Sequence, residues 1–191
     1  CENMAYLINK YGFMPNGSRT YYLIRSQPPF FTQMVREVYE RTSDKAWLKE
    51  MYNAAKDEYQ FWQEKRITPS GLNRYYGILD YQGAEYYSAL ARSAKRLRIP
   101  VPGNESDAQN LLECMMSFCE SGWDCNSRFG MRAHEYNPID LNSLLYGMEV
   151  NIAYFAQELG DAGGIEFLEN ARKRQQMLDT LCWNDTLGFY C

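Results

Sequence analysis

The chain has 191 residues, of which 46% are hydrophobic, and a formal net charge of −4. That apolar content is enough for a buried core, so it excludes an intrinsically disordered polypeptide. The negative charge, with 20 Lys and Arg scattered among 24 Asp and Glu, argues against nucleic-acid binding. Nowhere do eighteen apolar residues follow one another, so the sequence predicts no membrane span.

Apolar residues recur at alternating steps of three and four along most of the chain, a spacing typical of amphipathic helices. We predict about seven helices, the first over roughly residues 2–11. The other six are marked by these apolar stripes: Phe30, Met34 and Val38; Leu48, Tyr52, Ala55, Tyr59 and Trp62; Tyr87, Leu90, Ala94 and Leu97; Ala108, Leu111, Met115 and Cys119; Leu141, Leu145, Met148, Ile152, Phe155 and Leu159; Ile165, Leu168 and Leu178. Turns rich in proline and glycine separate the stripes, and β-branched residues are scarce. The sequence therefore predicts an all-α protein.

The cysteines do not show the spacing of a small disulfide-bonded scaffold, and a helical chain of this size needs no such bonds. We interpret them mostly as buried thiols. The six are Cys1, Cys114, Cys119, Cys125, Cys182 and Cys191. A metal site using Cys125, His134 and another cysteine is a weak alternative, because the chain has one histidine and no Cys-x-x-Cys motif.

The segment from Glu120 to Arg128 has the most specific chemistry in the sequence. Cleavage of a glycosidic bond needs a carboxylic acid to protonate the leaving oxygen, and an aromatic ring can stack on a sugar. Asp124 lies next to Trp123, and we expect the aspartate to be partly buried against the indole. In the alternative reading, Trp123 belongs to the core and Asp124 caps the next turn or pairs with Arg128.

Three blocks of the sequence, in order, resemble the trehalase family, glycoside hydrolase family 37. Pro15–Pro29 is similar to the signature P-N-G-x-R-x-Y-Y-x-x-R-S-Q-P-P, and Glu120–Asp124 matches E-S-G-W-D. Pro138–Asn142 is similar to the P-V-D-L-N block of the family, although we interpret its acid, Asp140, as a structural residue at a helix start.

This resemblance implies an (α/α)6 toroid of the six-hairpin glycosidase type, with residues 1–191 forming part of a single catalytic domain truncated at both ends. It implies hydrolysis of α,α-trehalose, or a related α-glucoside, with inversion, and hence a small carbohydrate as the binding partner. It implies no metal and no organic cofactor. The catalytic base and a glycine-rich lid would follow Cys191, so the 191 residues alone are expected to be inactive.

Carried over residue by residue, the resemblance makes Asp124 the general acid. The residues it assigns to substrate binding are Asn16, Arg25, Gln27, Glu105, Gly122 and Trp123. Glu105 is included because Gly103–Ser106 takes the place of an R-P-E-S-like stretch, whose arginine is lost here. From the residues alone, the five donors of Arg25 suit neighbouring hydroxyls, with a core acid as the alternative partner. Asn16 by itself would be read as an ordinary turn residue.

Two further functions stay open at this point. Another α-glucosidase of the same toroid class, such as a family 63 type, would share the fold and the acid but cleave a different linkage. A non-catalytic carbohydrate-binding protein descended from such an enzyme would bind without turnover. Activity on trehalose compared with other glucosides separates the first from a trehalase.

Overall fold

The computed structural model describes residues 1–77, 79 and 81–191, and most of these residues are helical. The elements are α1 (Glu2–Tyr11), α2 (Phe31–Thr42), α3 (Lys45–Lys65), α4 (Gly83–Leu97), α5 (Glu105–Ser121), α6 (Ile139–Leu159), α7 (Gly164–Leu181), two short 3₁₀ helices (Thr20–Tyr22 and Ala133–Glu135) and a hairpin of β1 (Trp183–Asn184) with antiparallel β2 (Phe189–Tyr190). The prediction of an all-α chain with about seven helices is confirmed for these residues. None of the described helices combines the length and the apolar composition that a bilayer crossing requires.

The chain divides into two compact units. Unit 1 comprises residues 1–14, 29–73 and 137–191 and contains α1, α2, α3, α6, α7 and the hairpin. Unit 2 comprises residues 15–28 and 74–136 and contains α4, α5 and both 3₁₀ helices. All residues that the sequence analysis assigned to the site therefore fall in unit 2.

The core of unit 1 is built on α6, which packs against α2, α3 and α7. Leu48 and Trp62 of α3 and Leu145, Met148 and Phe155 of α6 are all 0% exposed. These residues belong to the stripes predicted for the two longest helices, so the period of 3.6 residues correctly identified the buried face of each.

The stripe predicted for α2 is wrong by one position. The predicted residues, Phe30, Met34 and Val38, are 48%, 38% and 36% exposed. The buried ones, Phe31, Val35 and Tyr39, are 0%, 0% and 4% exposed. Both sets have helical spacing, so only packing against α3 and α6 selects the face that is buried.

A buried polar network joins α6 and α7 inside unit 1. The Nε and Nη2 groups of Arg174 donate to the Glu149 carboxylate over 2.8–3.1 Å, and its Nη1 donates to Oδ1 of Asn73 and of Asn142 at 2.9 and 3.0 Å. Tyr59 donates a further hydrogen bond to Glu149 at 3.1 Å. Arg174 is 3% exposed and Glu149 1%, so each buried charge has an opposite charge and hydrogen-bond partners.

In unit 2, α4 packs against α5 through small and apolar residues such as Ala94 and Leu111. The side chain of Asn104 caps the start of α5 by accepting a hydrogen bond from Asp107 N at 2.9 Å. Gly122 ends the helix in the left-handed conformation, with φ of +73°. Both ends of α5 are therefore fixed, and its C-terminal end carries the predicted acid.

Glu58 of α3 is 2% exposed, and its Oε2 has no hydrogen-bond partner among the described residues. Burial raises the pKa of this carboxyl from 4.5 to about 8. The folded protein then keeps the Glu58 proton between about pH 4.5 and pH 8, whereas the unfolded chain releases it. The contribution of Glu58 to the unfolding free energy therefore falls as the pH rises through this window.

We expect Glu58→Gln to remove this decline, because the amide cannot ionise. The difference in unfolding free energy between variant and wild type should grow by up to about 5 kcal/mol in favour of the variant from pH 4.5 to pH 8, measured by urea denaturation. The exposed residue Glu50 lies on the same helix, and Glu50→Gln serves as the control. A pH-independent difference for Glu58→Gln would contradict the assignment.

Candidate active site

The segment 15–28 closes on itself through Asn16. Pro15 and Ser26 form an antiparallel bridge, and Asn16 N donates to Arg25 O at 3.0 Å. The Arg25 Nε donates to Asn16 Oδ1 at 3.2 Å, and Gln27 Nε2 donates to Asn16 O at 3.0 Å. The spacing of nine between Asn16 and Arg25 thus has a geometric reason, because it brings the two side chains face to face.

The same segment is held on the last turn of α5. Asn16 Nδ2 donates to Cys119 O at 3.1 Å, and the backbone N and the hydroxyl of Ser26 both donate to Glu120 Oε1 at 2.8 Å. On its other oxygen, Glu120 accepts a hydrogen bond from Tyr76 N at 2.6 Å. These bonds bring the segment 15–28 against the C-terminal end of α5, from which the segment with Asp124 continues.

Glu120 and Asp124, the two acids of the Glu-Ser-Gly-Trp-Asp motif, lie in opposite environments. Glu120 is 0% exposed and bonded on both oxygens, so it joins α5 to two other segments and does not reach solvent. The side chain of Asp124 is 51% exposed, and its Oδ2 accepts a hydrogen bond from Arg96 Nη2 at 2.6 Å. Of the two carboxylates, only Asp124 is accessible to a substrate.

The expected burial of Asp124 against Trp123 is wrong for the described chain. Gly122 turns the backbone out of α5, and both following side chains point towards solvent, with Trp123 55% exposed. The Arg128 guanidinium lies 5.1 Å from the centre of the Trp123 ring. Trp123 is therefore neither a core residue nor a shield for Asp124, whose partner is Arg96 and not Arg128.

The sequence analysis missed Arg96, and with it Arg92. Both lie on α4 and line a cavity of about 260 Å³ together with Arg25 and Cys119. The signal in the sequence was the spacing of four, which places two arginines on one face of a helix. Nothing in the sequence indicated that this face lies beside the acid.

Glu105 is not brought to this cluster. It is the first residue of α5, whereas Glu120 and Gly122 lie at the other end of the helix. A helix of 17 residues is about 25 Å long at 1.5 Å per residue. Glu105 lines a different depression, with Tyr86 and Tyr87, so the remaining residues Asn16, Arg25, Gln27, Gly122, Trp123 and Asp124 form the candidate site.

The thiols are more open than expected. All six cysteines are free, and the interpretation of mostly buried thiols is wrong, because only Cys114 is buried. Cys1 and Cys182 are half-buried helix caps, and Cys191, which follows the hairpin, is exposed. At the site, burial raises the pKa of the Cys119 thiol while Arg25 opposes the rise.

Burial lowers the pKa of His134, although Glu113 at 3.4 Å acts in the other direction. Within the described ranges, no group of three or more histidine, cysteine, aspartate or glutamate residues is arranged to hold a metal ion.

In its described residues the chain is all-α, and it presents an open carboxyl beside guanidinium and amide groups. Comparison with known proteins identifies its family. The sequence model of the trehalase family matches residues 1–191. The chain therefore belongs to the trehalase family.

Two bacterial relatives illustrate the match. The periplasmic trehalase of Escherichia coli O8 (strain IAI1) is 34% identical over 98% of this chain, and that of Xanthomonas campestris pv. campestris (strain B100) is 32% identical over 99%. In each case the match covers 36% of the relative, so the chain spans a little over a third of their length.

A solved structure supports the same fold. The neutral trehalase Nth1 from Saccharomyces cerevisiae matches 99% of this chain and 41% of its own, with a TM-score of 0.80 and 29% identity. The likeness confirms the predicted toroid class, to which this chain contributes its helices.

The contrast between Glu120 and Asp124 leads to a prediction about stability. Glu120→Gln puts an amide NH₂ where a buried carboxylate accepts three hydrogen bonds, so we expect it to lower the unfolding free energy by about 2–4 kcal/mol. Arg96→Met breaks an ion pair whose side chains are 50% and 51% exposed, and should cost less than about 1 kcal/mol. Urea denaturation at pH 7 measures both changes. Equal losses in the two variants would show that Glu120 is not the structural anchor.

Proposed function

We propose that the protein containing this chain is a glycoside hydrolase that cleaves α,α-trehalose with inversion, and that Asp124 is its general acid. The observation that carries the proposal is that two carboxylates near one end of α5 differ in accessibility: one is buried and the other is exposed to solvent. Glu120 is buried and holds the segment with Asn16, Arg25 and Gln27, while Asp124, four residues later, is accessible. The resemblance to trehalases over the whole chain supports the choice of substrate.

The two oxygens of Asp124 have different surroundings, which supports a role for each. Oδ2 is held by Arg96 at 2.6 Å, whereas Oδ1 forms no hydrogen bond with the described residues. We assign proton transfer to Oδ1, which can approach a glycosidic oxygen while Arg96 fixes the orientation of the carboxyl group.

Arg25 is the strongest candidate for binding sugar hydroxyls. Its Nε is used by Asn16, and its two terminal nitrogens form no hydrogen bond within the described part of the chain. Two coplanar donors suit a pair of neighbouring hydroxyls. The amide of Asn16 is already engaged through both of its atoms, so we assign Asn16 first to positioning Arg25 and only second to a sugar contact.

The remaining site residues complete the proposed subsite. Gln27 is half-buried and donates a hydrogen bond to Asn16 O, and its amide oxygen forms none with the described residues, so we assign that oxygen to a sugar hydroxyl. The exposed Trp123 ring offers a surface for stacking on the second sugar. Gly122 allows the turn that separates this ring from α5. Inversion requires a second carboxylate roughly 6.5–9.5 Å from Asp124, with the attacking water between them.

Asp124→Asn tests the assignment of the acid. The amide keeps the shape of the side chain but has no proton to transfer, so kcat for trehalose should fall by about 100-fold or more, with KM little changed. Release of glucose by the protein containing this chain is the measurement. Asp57→Asn, at an exposed position of α3, is the matched control and should retain wild-type kcat.

Near wild-type kcat in Asp124→Asn would show that another group is the acid. Saturable binding of trehalose without any glucose release in the wild type would instead favour the non-catalytic carbohydrate-binding alternative. Activity on other α-glucosides but not on trehalose would favour the related α-glucosidase.

A further inference from the structure

One face of α4 carries two arginines into the cavity beside the site. Ala89, Arg92, Ser93 and Arg96 are spaced by three, one and three residues, so they share a face of the helix, and all four line the cavity of about 260 Å³. Arg25 lines the same cavity from the segment 15–28. Three guanidinium groups, from two separate parts of unit 2, therefore meet in one small space.

The positive charge in this cavity is only partly balanced. Arg96 pairs with Asp124, but the hydrogen bonds of Arg25 and Arg92 within the described chain go to neutral groups, Asn16 Oδ1 and Ser88 Oγ. Like charges four residues apart on a helix destabilise it, and a third guanidinium adds to the repulsion. Among the described residues this cluster has a single carboxylate partner, Asp124, so it suits a ligand that supplies negative charge.

Tyr81 also lines the cavity, and the same arginines affect the pKa of its hydroxyl. Burial raises the pKa of its hydroxyl, while Arg25 and Arg92 oppose the rise and Cys119 and the exposed Glu85 favour it. Both guanidinium groups therefore lie close enough to act on one half-buried hydroxyl. Cys119 and Met115, from α5, form part of the remaining wall.

We propose that this cavity binds a phosphoryl group, either as free phosphate or as the ester of a sugar. Guanidinium groups match the oxygens of a phosphoryl group in pairs, and its negative charge would balance Arg92, which a neutral sugar bound by Arg25 would leave without an opposite charge. At about 260 Å³, the cavity has more room than a phosphoryl group alone occupies. The ester form rests on the proposed function, because its sugar would enter the Asp124 site.

Binding of inorganic phosphate and of glucose 6-phosphate, measured by calorimetry at constant ionic strength, tests the proposal. Arg92→Met should weaken the binding of both by about tenfold or more, because it removes a charged donor. Lys95→Met is the matched control, since Lys95 is exposed on the same helix but does not line the cavity. It should change the dissociation constants by less than about twofold. Far-UV circular dichroism verifies that both variants fold.

The outcomes separate the sources of the phosphoryl group. Tighter binding of glucose 6-phosphate than of phosphate supports the sugar ester, and equal binding supports the free ion. Absence of saturable binding for both, or an equal loss in Lys95→Met, overturns the proposal. Trehalose is titrated into the wild type in parallel. If phosphate binds and trehalose does not, the result counts against the proposed function and not against this cavity.

Discussion

The candidate site depends on one buried carboxylate. Glu120 is fully buried, and it accepts hydrogen bonds from Ser26 and from Tyr76, residues that lie 94 and 44 positions away in the sequence. A buried carboxylate is stable only when donors surround it, so the two segments that supply the donors are required to lie against α5. This arrangement places Arg25 beside the helix end from which Asp124 emerges. Removal of the charge at position 120 would release all three parts of the site together.

Unit 1 shows the same principle and one exception to it. Glu149 is buried with Arg174 and with hydrogen-bond donors on both oxygens, whereas Glu58 is buried with one oxygen that no group in the described ranges contacts by a hydrogen bond. Burial raises the pKa of both carboxyls, but for Glu149 the Arg174 guanidinium opposes the effect. Glu149 thus joins α6 to α7 as part of an ion pair, and Glu58 is held in the core as a neutral acid.

The arginines beside Asp124 lower the stability of unit 2 but are suited to binding an anionic ligand. Arg92 and Arg96 repel each other along α4, and Arg25 lies against the same cavity. Only Arg96 has a carboxylate partner among the groups described here, and that partner is the proposed acid. Arg96 therefore contacts both the cavity and Asp124. Binding of a ligand in the cavity and the orientation of the Asp124 carboxyl should influence each other.

The sequence by itself determined what depends on neighbours along the chain. Helices form from residues four apart, so periodicity predicted the seven helices of the described residues, and the position of Asp140 in the first turn of α6 follows from helix-start chemistry. The Glu-Ser-Gly-Trp-Asp motif indicated the acid in the same way. Tertiary structure alone decided which of two apolar faces of α2 is buried, that Glu120 is an anchor, and that Asp124 faces Arg96 from 28 residues away. These outcomes depend on which helix faces meet, and local spacing does not contain that information, because a side chain selects its partner only after the helices have packed.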